Sequence, residues 1–219
     1  MKIFLDSSNT VYIERWKHII DGVTTNPSIL MKEEGNLEKV CEVVGNLPLS
    51  VESGSPFYEE AVKLWDWLKP FAPNLVVKVP FLDPVRGDNL KIIDKLVRAG
   101  IKVNCTAVMS TAQVLLASKV DPTYISIFIG RIDDEGGDFS QVIKDSLDMV
   151  SMKNIELIAG SIRTVGNVIA CIKAGIDIVT VPPPILEKMV EHHYSRFTSK
   201  QFQNDYVSVD TLRKEGVRV

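Results

Sequence analysis

The chain has 219 residues with 25 Lys and Arg against 28 Asp and Glu, a formal charge of 25 − 28 = −3, and is 45% apolar and 24% charged. That length supports one sizeable core, and the composition excludes a disordered chain or a disulfide-stapled miniprotein. So slight an acidic balance gives no wide positive field for a polyphosphate, and nucleic acid is not an expected partner, although a local group of arginines can still hold one phosphate. The opening residues MKIFLDSSN carry Asp6 where an export signal is apolar, and no apolar run reaches the roughly 20 residues of a spanning helix. The expectation is a cytoplasmic protein without membrane contact. Cys41, Cys105 and Cys171 are far apart and outside metal-ligand spacing, so they read as buried free thiols.

In chain order, short β-branched runs predict eight strands at 2–6, 21–25, 49–53, 75–79, 101–105, 124–128, 155–159 and 176–180. Between them lie stretches such as EEAVKLWDWLKPF, LKIIDKLVRAG, VIKDSLDMV and TVGNVIACIKAG, whose apolar residues return every three or four positions. Gly100 and Gly175 fall where two of these helices should end, as left-handed caps. Eight strand–helix alternations without a linker favour an α/β fold, a single (β/α)₈ TIM barrel over residues 1–219; an open doubly wound sheet shares the local pattern. The segment around 196–209 predicts one further C-terminal helix, which suits contact with a neighbouring subunit in a homo-oligomer.

Barrel enzymes carry their chemistry at the C-terminal ends of strands. Those ends read Asp6; Thr24, Thr25 and Asn26; Ser50 and Glu52; Lys78; Asn104 and Thr106; Ser126 before Arg131; and Ser161 with Arg163. Side chains alternate along a strand, so Thr24 and Asn26, Ser50 and Glu52, Asn104 and Thr106, and Ser161 and Arg163 are expected to share a side in pairs. Each is equally a helix cap or turn former taken alone. Lys78 interrupts the apolar run LVVKVP, where a central parallel strand should be hydrophobic on both faces. Burial favours an uncharged amine, which attacks a carbonyl to form a Schiff base without any cofactor; a structural ion pair with Glu52 or Asp6 is the alternative. Arg131 and Arg163 follow strands six and seven, where barrels often hold a phosphate, and are otherwise surface charge. With His18, His192 and His193 the only histidines, no metal site is expected, and the acids of GRIDDEGGD do not follow a calcium-loop spacing.

The blocks FLDSSN, GVTTNPSIL, VVKVP, GIKVNCTAVMS, ISIFIGRIDDEGG, AGSIRT and TVPPPILEKM resemble the transaldolase family, particularly its short bacterial and archaeal members and the related fructose-6-phosphate aldolases. The resemblance implies transfer of a dihydroxyacetone unit from a ketose phosphate, such as fructose 6-phosphate or sedoheptulose 7-phosphate, to an aldose phosphate. It implies an imine on Lys78, Asp6 as acid/base, Glu52 acting through a water that Thr106 helps place, and no cofactor. It further implies substrate contacts from Thr25, Asn26, Asn104, Ser126 and Phe128, a phosphate grip by Arg131, Ser161 and Arg163, and a pentameric or decameric assembly in the pentose phosphate pathway. In the aldolases the positions of Glu52 and Phe128 are typically Gln and Tyr, so this pair favours transfer; an aldolase, or a silent sugar-phosphate-binding barrel, is the alternative. The run KVPFLDPVRGDNL is longer than the usual loop, and Asp83, Arg86 and Asp88 are expected to reshape the acceptor pocket.

Overall fold

The computed structural model describes all residues except 55, 56, 216, 217 and 219, and leaves aside the side chain of Leu212. Two compact units appear, Met1–Ile185 and Leu186–Val219, where the sequence reading treats 1–219 as one domain. In the first, the strands are β1 (Lys2–Asp6), β2 (Gly22–Thr24), β3 (Leu49–Glu52), β4 (Leu75–Pro80), β5 (Leu82–Asp83), β6 (Gly87–Asp88), β7 (Val103–Val108), β8 (Tyr124–Phe128), β9 (Glu156–Gly160) and β10 (Ile178–Val181). Among the described residues, eight of them close into a parallel barrel in the order β1-β10-β9-β8-β7-β4-β3-β2, and β5 and β6 form a separate antiparallel hairpin. The expected TIM barrel is therefore the observed fold, and an open sheet is excluded by the pairing of β1 with β10.

Several strand boundaries differ from the sequence expectation, and two of the differences share a cause. The strands expected at 101 and 176 begin at Val103 and Ile178. Gly100 and Gly175 adopt the left-handed conformation, φ +77° and +85°. The amide of the next residue then turns back onto the helix: Ile101 N donates to Leu96 O at 3.1 Å, and Ile176 N to Cys171 O at 3.3 Å. Such closures use up a following apolar residue before extension can start, and Ile101 and Ile176 are both buried. The lengthened run after β4 is accounted for by the β5/β6 hairpin, which pairs Leu82 with Asp88 and Asp83 with Gly87.

The barrel interior is built in layers. Phe4, Val76, Tyr124, Ile158 and Ile178 form one buried cluster, with the Phe4 and Tyr124 rings edge to face at 5.9 Å. The Phe4 ring occupies the space a side chain at Gly22, its register partner on β2, would need. Because side chains repeat every two residues along a strand, the next inward positions toward the C-terminal end are Asp6, Lys78, Ser126, Gly160 and Thr180. An apolar plug thus sits one layer below a polar ring, and that step positions the site.

The second unit is dominated by the helix His193–Lys214, longer at both ends than the expected 196–209. The sequence between Glu191 and Glu215 holds no Gly or Pro to stop it. Tyr194, Phe197, Phe202, Tyr206 and Val207 are exposed along it. No helix among the described residues is long and apolar enough to cross a membrane.

Gly175→Ala should destabilise the barrel by about 1 kcal/mol, because a Cβ is strained at its left-handed geometry. Thermal unfolding should show a Tm lower by roughly 2–4 °C; an unchanged Tm would contradict the cap assignment.

Candidate active site

A cavity of about 500 Å³ opens at the C-terminal ends of the barrel strands, lined by Asp6, Thr24, Asn26, Glu52, Lys78, Thr106, Ser126, Phe128, Arg131, Ser161 and Thr180, with Lys32 and Ala107 among the remaining wall residues. Lys78 lies at its floor, 4% exposed. Strand register sets Glu52 on one side of it and Asn104 on the other. Its Nζ donates to the Thr25 carbonyl oxygen at 2.8 Å and stands 3.7 Å from Glu52 Oε2. The amine is thus neither turned into bulk solvent nor sealed from the cavity. It is held by one neutral acceptor and one carboxylate, with room above it for a ligand.

Asp6 ends β1 in the same wall. Its Oδ1 accepts from Thr24 Oγ1 at 2.7 Å, and Thr24 Oγ1 lies 2.5 Å from Thr180 Oγ1. Burial pushes the Asp6 carboxyl above the ordinary carboxylate range; the Lys78 charge and the Thr24 bond pull it down, and the Glu33 charge adds a smaller upward push. Glu33 is itself anchored, accepting from Ser7 Oγ, Ser8 N and Ser8 Oγ at 2.9, 2.7 and 3.1 Å. A carboxyl raised in this way gains protons more readily in the fold than in the open chain, which suits a group that must both take and return one.

Thr106 is 1% exposed, and its hydroxyl has no hydrogen-bond partner among the described residues, although it faces the cavity. A buried orphan hydroxyl in a cavity wall is a place for a water or a substrate oxygen. Next to it, Ala107 has φ +56° at a shift of register between β7 and β8, and across the mouth Ser161 has φ +59°. Left-handed backbone in non-glycine residues costs energy and is concentrated where side chains must be aimed.

Three expected site residues are placed differently. Thr25 is fully buried and its hydroxyl donates to the Ser50 carbonyl, so it reaches the site through its own carbonyl oxygen on Lys78. Asn104 is also fully buried and is not part of the cavity wall; it donates to Ser50 Oγ at 3.3 Å and accepts from Ser126 Oγ at 2.7 Å, which fixes the Ser126 side chain from below. Arg163 follows the end of β9 at Gly160 and the left-handed turn at Ser161, and its Nε lies with Ser161 Oγ against Gly130, 3.0 and 2.8 Å from where a Cβ there would stand. Its guanidinium makes a two-bonded ion pair with Asp134 and does not line the cavity. Asn26 takes both of its possible roles: Oδ1 caps the helix Pro27–Lys32 by accepting from Ile29 N at 2.9 Å, while the residue lines the cavity.

The wall that carries Ser161 depends on Gly130. A Cβ there would fall on the Ser161 carbonyl oxygen and come within 2.8 Å of Ser161 Oγ, so only glycine lets the start of the helix Ile129–Asp134 approach that loop. Arg131 is thereby brought to the cavity beside Ser161. Asp83, Arg86 and Asp88 do not line it. Asp83 accepts from Val85 N, Arg86 N and Arg86 Nη2, the Arg86 guanidinium lies 4.0 Å from the Phe57 ring centroid, and Asp88 accepts from Leu90 N. These side chains are engaged within the hairpin and with the adjoining Phe57 and Leu90, away from the cavity wall, where the sequence reading expects them to reshape the pocket.

Thr180 and Lys32 were not visible as site residues in the sequence. Thr180 had a usable signal, two positions after the core residue Ile178; Lys32 reaches the cavity from a helix that no strand-end rule includes. The three cysteines are free and buried as expected, and burial pushes the thiols up, to about 11 for Cys41 and about 12 for Cys105 and Cys171. Among the described residues no cluster of three or more His, Cys, Asp or Glu side chains is arranged to hold a metal ion.

A closed (β/α)₈ barrel with an amine-centred cavity at its C-terminal mouth is the class that fold and site define together. The family described as Transaldolase/Fructose-6-phosphate aldolase matches residues 40–218, and the chain belongs to that family. A probable transaldolase of Nitrosopumilus maritimus (strain SCM1) is 36% identical over 220 residues, covering 95% of this chain and 96% of that protein. One from Clostridium tetani (strain Massachusetts / E88) is 36% identical over 219 residues, covering 96% of this chain and all of its own length. Among solved structures, orotidine 5'-monophosphate decarboxylase from Metallosphaera sedula superposes with a TM-score of 0.55 at 14% identity, over 83% of this chain and 87% of that one. A flavocytochrome b2 variant gives 0.60 at 11% identity, over 84% of this chain and 57% of that one. Both likenesses are of fold alone.

The raised Asp6 carboxyl predicts a stability effect with a definite sign. Its folded-state proton affinity exceeds that of the open chain, so its contribution to stability is present at acid pH and is lost as pH rises through the folded value. Asp6→Asn should therefore raise Tm relative to the parent more at neutral pH than below the ordinary carboxylate range. A difference in Tm that is flat or inverted with pH, followed by calorimetry, would contradict the burial of this charge.

Proposed function

We propose that the protein is a transaldolase, moving a dihydroxyacetone unit from a ketose phosphate to an aldose phosphate through an imine on Lys78. The observation that carries this reading is the buried Nζ of Lys78, held within 2.8 Å of the Thr25 carbonyl oxygen and 3.7 Å of Glu52 at the floor of a cavity that Asp6 also lines.

In the first step the neutral amine adds to C2 of the ketose and the C2 oxygen leaves as water, giving a protonated imine. Glu52, with a water placed by the unpartnered Thr106 hydroxyl, carries the protons of that dehydration. Asp6 then takes the proton of the C4 hydroxyl, the C3–C4 bond breaks, and its electron pair flows into the imine to leave an enamine on Lys78. The aldose departs, a second aldose enters, and the steps run in reverse with Asp6 returning the proton. In this reading Ser126 and Asn26, both in the cavity wall, hold the hydroxyls of the three-carbon unit, with Asn104 fixing Ser126. In this reading Arg131 and Ser161, both in the cavity wall, take the phosphate, donors suited to a compact anion. Arg163 pairs with Asp134, which also lies 3.9 Å from Arg131, and its Nε stands with Ser161 Oγ against Gly130.

An aldolase would have to protonate the enamine and release it. Phe128 supports transfer, because a ring without a hydroxyl stands in the cavity wall and supplies no proton there. Retention of Lys78, Asp6 and Glu52 together disfavours a silent binding barrel. Self-association of the chain, as the family resemblance implies, is supported by the exposed aromatic side chains of the helix His193–Lys214.

Borohydride reduction with fructose 6-phosphate should leave a three-carbon adduct on the peptide containing Lys78. Lys78→Met should lose the adduct and all turnover while keeping its fold, since methionine fills a similar volume. An adduct at another lysine, or none, would contradict the reading. Release of free dihydroxyacetone at an undiminished rate without an aldose acceptor would instead favour the aldolase.

A further inference from the structure

We propose that Thr180 is a positioning residue for Asp6, donating to Thr24 so that Thr24 in turn holds Asp6 in its carboxylate form; the inference rests on Asp6 being the proton acceptor of the reaction proposed above. Thr180 lies on β10, 5% exposed, and Thr24 on β2, 2% exposed, both in the cavity wall. The oxygens stand in series, Thr180 to Thr24 at 2.5 Å and Thr24 to Asp6 Oδ1 at 2.7 Å. A hydroxyl has one hydrogen to give. An ionised carboxylate only accepts, so Thr24 spends its hydrogen on Asp6, and the short contact with Thr180 is satisfied only if Thr180 is the donor.

The order of donation is thus fixed by chemistry, and it runs toward Asp6. A hydroxyl that accepts a bond becomes a better donor, and the gain is greatest when the final acceptor carries charge. Thr180 therefore favours the basic form of Asp6 without touching it. The charged groups facing Asp6 are Lys78 from β4 and Glu33 from the end of the helix Pro27–Lys32; Glu52, Lys32 and Arg131 stand further round the cavity. The flanking strands β2 and β10 bring no titratable side chain, so the two threonines are what those strands contribute. Burial raises the carboxyl, and this relay works against that rise.

The test is the pH dependence of kcat in the cleavage direction, where activity rises as Asp6 ionises. Thr180→Val should move the acid limb upward by about half a pH unit. Thr24→Val, which removes the direct bond, should move it further in the same direction, and the double variant should match Thr24→Val because Thr180 acts only through Thr24. Thr180→Ser should restore the parent profile, and Thr180→Ala gives the same comparison if valine lowers Tm. A uniform loss of rate with an unmoved limb, or additive shifts in the double variant, would overturn the relay. Full cleavage activity in Asp6→Asn would overturn the underlying assignment of Asp6 instead, so the two failures are distinguishable.

Discussion

A lysine in the middle of a parallel strand, inside a closed barrel, has to be solvated by protein, and the rest of this site follows from how that is done. Among the described residues a carbonyl oxygen and a carboxylate are supplied to the Lys78 amine, from Thr25 and Glu52, and the fourth strand is otherwise apolar. Burying an amine among so few partners is costly unless the position is used. The barrel makes the arrangement possible because its parallel register aligns Glu52, Lys78 and Asn104 across three neighbouring strands.

Layering does the remaining work. The apolar plug of Phe4, Val76, Tyr124, Ile158 and Ile178 closes the barrel from below, and the same strands turn polar one repeat later. Stability and chemistry are thereby separated by a single step of about 7 Å along each strand. Around the cavity, Asn104 fixes Ser126, Glu33 gathers Ser7 and Ser8, and Thr180 contacts Thr24. Such bonds hold the cavity-facing side chains in place before any ligand arrives.

Much of this was legible in the sequence because it depends on local periods. Strand–helix alternation favours the barrel over an open sheet, the strand-end rule picks out Asp6, Glu52 and Thr106, the break in an apolar run picks out Lys78, and the family resemblance joins them as one set. What was not legible depends on geometry that no local period carries. Arg163 meets Asp134 across 29 residues of sequence, a pairing that no strand-end rule predicts. Thr25 acts through its main chain, which residue type does not report. The late starts of β7 and β10 follow from glycine caps that each consume one more residue than their position suggests.

The central claim is that the Lys78 amine replaces the ketone oxygen of the substrate in every cycle. Its most direct test is transfer carried out in ¹⁸O-labelled water, with the C2 oxygen of the product ketose read by mass spectrometry against an enzyme-free control. The account predicts label at C2 in step with turnover, since imine formation expels the original oxygen and hydrolysis installs one from solvent. Product formed with its original C2 oxygen retained would contradict it.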